Sequence, residues 1–231
     1  KLLTNYFIKM NNVRIEKKFV LGKSKEDYLE SILIRSGFNR IFKPRYINSI
    51  YLDTVNFDFA KDNINGVSQR KKIRFRWYNN DLNNISFEEK NKNNFSVNKI
   101  ISKVEVPSNS KNLISNLKSY FYDLKKNCLS ENYLFILKTN YFRSYWLSSD
   151  KKIRATIDIN LNASPINNPV SKLTLNDTIL EFKFLSKEEE NFRNLFHIKK
   201  INLRSKKYSK YLQSFHLLEE SGLISFSHKR Y

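Results

Sequence analysis

Apolar and polar side chains alternate along much of this chain. Over residues 71–78, Lys72, Arg74, Arg76 and Tyr78 fall on one side of an extended backbone, with Ile73, Phe75 and Trp77 on the other. A period of two marks a β-strand with one buried face. It recurs over 13–21, where Arg14, Glu16 and Lys18 oppose Val13, Ile15 and Phe19, and residues 46–54 also read as a strand. Residues 85–92 put Ser86, Glu88, Lys90 and Lys92 together, and 98–106 set Lys99, Lys103 and Glu105 against Ile100, Val104 and Val106. Further strands are predicted over 134–147 (Thr139, Tyr141, Arg143 and Tyr145 on one side), 152–160 (Lys152, Arg154, Thr156 and Asp158) and 178–185 (Glu181 and Lys183). Helical spacing takes over at 25–36, where Tyr28, Leu29, Ile32 and Leu33 share a face and Gly37 supplies the stop. Other helices are predicted over 56–63, 109–126, 187–196 and 205–219. The Asn-rich stretches at 79–84 and 91–94 read as hairpin turns. About eight strands with several helices and no βαβ rhythm give an antiparallel α+β protein.

At 231 residues, with 40% hydrophobic and 14% aromatic residues, the chain is long and apolar enough to bury a core. A single domain is expected over 13–231, with 1–12 as an N-terminal extension. Cys128 is the one cysteine, which excludes a disulfide framework and a multi-cysteine zinc site. It reads as a small buried apolar residue and fits a cytoplasmic, reducing location. With three histidines, His197 among them read as a surface residue, a metal would rest on carboxylates, which suits Mg²⁺ or Mn²⁺. The longest purely apolar or aromatic run, 133–137, is far short of a membrane span.

The charge changes the picture more. Forty-two Lys and Arg against 22 Asp and Glu leave +20, which implies a polyanionic partner. Abundant Asn, Lys and Ile, as AT-rich codons would give, account for part of that excess as surface drift. The charged strand faces have three readings. An ordinary half-exposed sheet would turn them to water. A barrel with helices covering Phe75, Trp77, Phe182 and Phe184 would turn them inward, into a basic lumen. A nucleic-acid binder would present them outward, although no recognition helix or aromatic RNA signature is present.

Eight segments in order then carry a resemblance: Ile15-Glu-Lys-Lys-Phe19, Ser49-Ile-Tyr-Leu-Asp-Thr54, Lys72-Ile-Arg-Phe-Arg-Trp-Tyr78, Phe87-Glu-Glu-Lys90, Tyr141-Phe-Arg143, Ile153-Arg-Ala-Thr-Ile-Asp158, Leu180-Glu-Phe-Lys183 and Lys207-Tyr-Ser-Lys210. The series resembles the VTC domain, the polyphosphate polymerase domain of the vacuolar transporter chaperone family. That family lies within the triphosphate tunnel metalloenzyme, or CYTH-like, superfamily. The resemblance covers residues 13–213. It implies an antiparallel eight-stranded β-barrel tunnel with helices packed outside. It also implies transfer of the γ-phosphate of ATP onto polyphosphate with Mn²⁺ (or Mg²⁺).

By motif, Lys18 reaches the phosphates, Arg74 and Arg76 clamp the triphosphate beside Lys72, and Lys90, Lys92 and Lys99 extend the basic lining. Arg143 and Arg154 hold phosphates from the opposite wall. Glu181 is the metal ligand, and Lys207, Ser209 and Lys210 contact the phosphate chain. Asp158 is read as a partner for Arg154, and Asp53 as a strand-end cap or a partner for a basic residue. The triphosphatase branch opens with Glu-x-Glu-x-Lys, where this chain has Arg14-Ile-Glu16-Lys-Lys18; that favours the polymerase branch. A tunnel-fold triphosphatase and a non-catalytic polyphosphate- or phosphate-sensing module are the alternatives. No specific nucleic acid is expected, and a membrane-associated partner would be encoded elsewhere.

Overall fold

The structure, a computed structural model, describes residues 13–94, 96–105, 112–125, 132–195 and 204–225. In chain order the described elements are β1 (Arg14–Leu21), α1 (Glu26–Arg35), β2 (Phe38–Thr54), α2 (Asp58–Ile64), β3 (Gln69–Tyr78), β4 (Ile85–Asn93) and β5 (Ser96–Val104). They continue with α3 (Leu113–Lys125), β6 (Tyr133–Ser148), β7 (Arg154–Pro165), β8 (Leu173–Leu175), β9 (Thr178–Leu185), α4 (Glu189–Arg193) and α5 (Lys210–Glu220). The hydrogen-bonded order is β1-β9-β7-β6-β2-β3-β4-β5, with β8 added on β7. The ladders β1–β9, β9–β7, β2–β3, β3–β4 and β4–β5 are all antiparallel. An antiparallel α+β fold is therefore what the alternation builds. The path has two ends, β1 and β5, and the three-residue β8 makes nine strands where eight were expected. Residues 1–12, Cys128 and His197 lie outside the described residues.

The chain divides into two compact units. The first takes the chain through Arg45, then Tyr141–Leu161 and Asn176–Tyr208. Its core sets Phe19, Ile157, Leu180, Phe182 and Phe184 against Leu29, Ile32 and Leu33 of α1 and Phe192 of α4. Phe184 and Phe192 stack at 4.6 Å. At the end of α1, Gly37 takes φ +78, which a side chain would strain, and its carbonyl accepts from Ser149 N and Oγ at 2.9 and 2.7 Å.

The second unit takes Tyr46–Asn140, Asn162–Leu175 and the chain from Ser209. One of its cores packs Ile73, Phe75, Trp77, Ile85 and Phe87 under Leu117 and Phe121 of α3. The other gathers Tyr51, Phe57, Ala60, Leu137, Tyr211, Phe215 and Leu218 around α5. In each unit the helices cover the apolar sheet face, so Phe75, Trp77, Phe182 and Phe184 are buried as expected. No described helix is long and apolar enough to cross a membrane.

Three boundaries depart from the periodicity by five residues or more. Strand β2 starts at Phe38 rather than 46, because Asn39–Lys43 is exposed on both faces and so carries no alternation. The last helix starts at Lys210 rather than 205, because Ser209 caps it, accepting from Leu212 N. Strand β7 runs on to Pro165, beyond the 152–160 pattern.

Candidate functional site

In the second unit, strand register brings the predicted basic residues onto one face. Lys72 of β3 lies opposite Lys90 of β4, which lies opposite Lys99 of β5. The neighbouring rows are Arg74–Glu88 and Arg76–Ser86 on one side and Arg70–Lys92 on the other. Like charges directly opposite one another destabilise a sheet, so packing does not call for a lysine row. Arg76 is buried and its Nε donates to Ser49 Oγ at 3.2 Å. Lys72 Nζ donates to Ser209 Oγ at 3.1 Å, which ties the basic face to the start of α5 and to the neighbouring Lys210.

Two residues absent from the sequence-based site complete this face. Glu88 is buried, and its Oε2 accepts from Arg74 Nε at 2.7 Å and pairs with Nη2 at 2.5 Å, while Oε1 takes Lys99 Nζ at 3.1 Å. Burial pushes its carboxyl up, but Arg74 first, then Arg76 and Lys99, outweigh that and hold it at about 2. Tyr51 is buried too, and Arg74 Nη1 donates to its hydroxyl at 3.4 Å. Burial again pushes the phenol up, and Arg74, Lys72 and Arg76 bring it down to about 7. Glu88 was visible on the polar face of 85–92. Tyr51 was not, because 46–54 reads only as a strand, with no polar face that would single it out.

The first unit carries a second charged face. Lys18 of β1, Glu181 of β9 and Thr156 of β7 form one cross-strand row, and Glu16, Lys183 and Arg154 form the next. Glu181 is buried, with Lys183 Nζ at 2.9 Å and Arg143 Nη2 at 3.9 Å. The same ammonium lies 3.4 Å from Glu16 Oε1. Arg143 gives both sides of its fork to Asp158, at 2.5 and 2.7 Å, so Asp158 partners Arg143 and not Arg154. Burial opposes the Arg143 charge, and the Asp158 carboxylate beside it outweighs that and keeps it cationic. Arg154 is exposed. Lys18 Nζ donates to the Tyr208 carbonyl at 2.9 Å, and Lys206 N to the Lys18 carbonyl at 2.8 Å, so the segment holding exposed Lys207 runs beside β1.

Glu181 was tested as a metal ligand against its neighbours. Among the described residues no three His, Cys, Asp or Glu side chains gather as a ready-made site. Cations lie nearest Glu181; register sets Thr156 opposite it, with an Oγ1 that is buried and has no hydrogen-bond partner in the described structure, and Glu16 shares the Lys183 ammonium with it. The Lys183 ammonium between two carboxylates marks a place that already holds positive charge. Carboxylate and hydroxyl oxygens are the donor type that a hard divalent cation takes. Alternation had shown Glu16 and Thr156 on polar faces. Their meeting with Glu181 depends on register, which alternation leaves open.

Comparison with known proteins places this geometry. The VTC domain sequence model matches residues 13–219. No curated protein matches the sequence. Three solved structures are similar in fold. A candidate adenylate cyclase from Vibrio parahaemolyticus has TM-score 0.53 and 13% identity, covering 88% of this chain and 99% of its own. One from Bacillus halodurans has TM-score 0.52 and 14% identity, covering 88% and 97%. A candidate adenylyl cyclase from Hippeastrum with a dominant triphosphatase activity has TM-score 0.53 and 12% identity, covering 93% and 100%.

Proposed function

The chain belongs to the VTC domain family, and from that membership we propose a phosphotransferase that moves the γ-phosphate of ATP onto a polyphosphate chain. The observation that carries this reading is the face of β3, β4 and β5. Lys72, Lys90 and Lys99 stand in one cross-strand row beside Arg74 and Arg76, at a cost in repulsion that a polyanion removes.

In the proposed step, a terminal oxygen of the acceptor chain attacks the γ-phosphorus. The bond from that phosphorus to the β,γ-bridging oxygen breaks, ADP leaves, and a new P–O–P link extends the chain. Such a transfer needs positioned cations more than a protein nucleophile. Arg74 and Arg76 offer forks that match phosphoryl oxygens, and Lys72 and Lys90 add point charges. Glu181, with Glu16 and Thr156 as neighbours, would hold a divalent ion, which when bound offsets the charge that builds on the phosphates. Lys210 in the second unit, and Lys18, Lys207 and exposed Arg154 in the first, add to the positive charge that attracts a polyanion at long range.

The triphosphatase activity of the Hippeastrum neighbour favours a second reading, in which water replaces the acceptor chain. Arg14 stands where that branch carries a carboxylate, which leaves this chain fewer groups to hold a metal or orient a water.

One assay separates the readings: incubation with ATP and Mn²⁺, following polyphosphate, ADP and free phosphate. The expected result is polyphosphate with matching ADP, and a loss on the order of 100-fold in Glu181→Gln. Free phosphate without polyphosphate would mean a triphosphatase. Tight tripolyphosphate binding with no ATP consumed under any divalent metal would mean a sensor.

A further inference from the structure

We infer that the space between Arg74 and Lys99 is a phosphoryl seat, and that the Glu88 carboxylate occupies it as an internal anion which the phosphate chain displaces. This rests on the phosphate-binding reading of the same face. A carboxylate and a phosphoryl group offer a cationic pocket the same thing: two or more charged oxygens at fixed spacing. Glu88 uses one oxygen to take both Nε and Nη2 of Arg74, and the other to take Lys99 Nζ. A phosphoryl group bridging an arginine fork and a lysine would make the same contacts. Strand register supplies the geometry, since Arg74 and Glu88 are opposed and Lys99 lies one row along.

Two further facts separate this pair from an ordinary surface bridge. Glu88 is 7% exposed, so its charge has little water to lean on. The rest of that strand face is cationic, with Lys72, Lys90 and Lys92 on the same side. A lone carboxylate in such a place keeps the cations together when no polyanion is bound. It also competes with any anion that arrives. Binding is then an exchange in which Arg74 and Lys99 trade one anion for another and Glu88 turns away. An internal competitor lowers affinity without altering the contacts finally made, and it speeds the departure of a bound chain. That suits a site which must release or shift its product after each addition.

The opposite role, in which Glu88 merely positions Arg74 for phosphate, predicts the opposite sign. The probe is inorganic tripolyphosphate, titrated at fixed ionic strength into the wild-type chain and its variants, with melting curves alongside. Glu88→Gln should bind about tenfold tighter, the worth of one strong charge-assisted contact. Glu88→Asp, shorter by one methylene and unable to span both partners, should tighten binding by less. It stands as the second variant should the Gln protein not fold. Glu89→Gln removes the same charge from the opposite face of β4 and should change affinity by less than about twofold. Lys99→Met should weaken binding more in the Glu88→Gln background than in wild type, because in wild type the loss of Lys99 also loosens the Glu88 carboxylate that phosphate must displace. Weaker binding in Glu88→Gln at an unchanged melting temperature, or an equal gain in Glu89→Gln, would overturn the inference and leave phosphate binding standing. A wild-type chain that binds no tripolyphosphate would overturn both.

Discussion

Tyr51 shows what a single side chain gains from this face. Its ring lies against Tyr211 at 5.2 Å, and its hydroxyl accepts from Arg74. Burial disfavours the phenolate, but Arg74, Lys72 and Arg76 outweigh that and bring the phenol to about 7, against an ordinary 10.0. The sign of the linked stability follows. A phenol lowered in the folded state favours folding once ionised, so its contribution is complete above the unfolded value and is lost as pH falls through the folded one. Relative to Tyr51→Phe, the wild-type chain should gain stability between about pH 7 and 10. The phenolate ultraviolet absorbance should titrate near 7, in a step that Tyr51→Phe lacks. A tyrosine step near 10 and no other would mean that the three cations do not act on this ring. Glu88 moves the same way at lower pH, its support fading as pH drops towards about 2.

At the scale of elements, Asp53 joins three of them. At the end of β2, its carboxylate accepts from Thr54 N at 2.8 Å, from Phe59 N and Ala60 N in the first turn of α2 at 2.9 and 3.0 Å, and from the Tyr211 hydroxyl of α5 at 2.6 Å. Burial raises the Asp53 carboxyl, and the Tyr211 bond and backbone bonds pull against it. A seven-residue helix has little stability of its own, so this cap decides whether α2 forms. Asp53→Ala strands three amides and a hydroxyl in the core and should cost about 2–4 kcal/mol, while Tyr211→Phe should cost about 1 kcal/mol. Denaturant unfolding of both, with the double variant, measures their coupling; fully additive effects would dismiss the shared cap. From sequence, Asp53 was expected to cap a strand end or pair with a base, and it caps a helix instead. Spacing within a strand cannot show which later element folds back upon its end. The same limit applies to the site. Lys72, Arg74 and Arg76 were legible together because alternation puts them on one face of β3 whatever the topology, while Lys90 and Lys99 were legible only as polar-face residues of their own strands and through the family resemblance. Asp158 was assigned to Arg154 on its own strand, but its partner is Arg143, on β6. Glu88 was read as one more polar-face residue because nothing local says which arginine a strand glutamate meets.

For the whole molecule, +20 is the dominant fact. Cations gathered on strand faces raise the free energy of the folded state, and a polyanion that binds only that state lowers it. Tripolyphosphate at about 100 times its dissociation constant should add about 2.7 kcal/mol, or roughly 5–10 °C in melting temperature. Chloride at equal ionic strength should do less, since screening is not site binding. The double variant Arg74→Ala and Arg76→Ala should lose most of the tripolyphosphate shift, and without ligand it should melt below wild type, because buried Glu88 loses Arg74 and Ser49 loses Arg76. An undiminished shift there would move the binding site elsewhere on the surface. The arrangement of the two units has a further consequence, for how the chain reaches its fold at all. Each unit is assembled from three separate stretches, and the bond from Lys18 to the Tyr208 carbonyl closes across 190 positions. Among the described strands β1 is paired with β9, so β1 cannot settle before β9 is available. Completion of the first unit is then a non-local event, and until it occurs the cationic face of β1 stands open to any polyanion nearby.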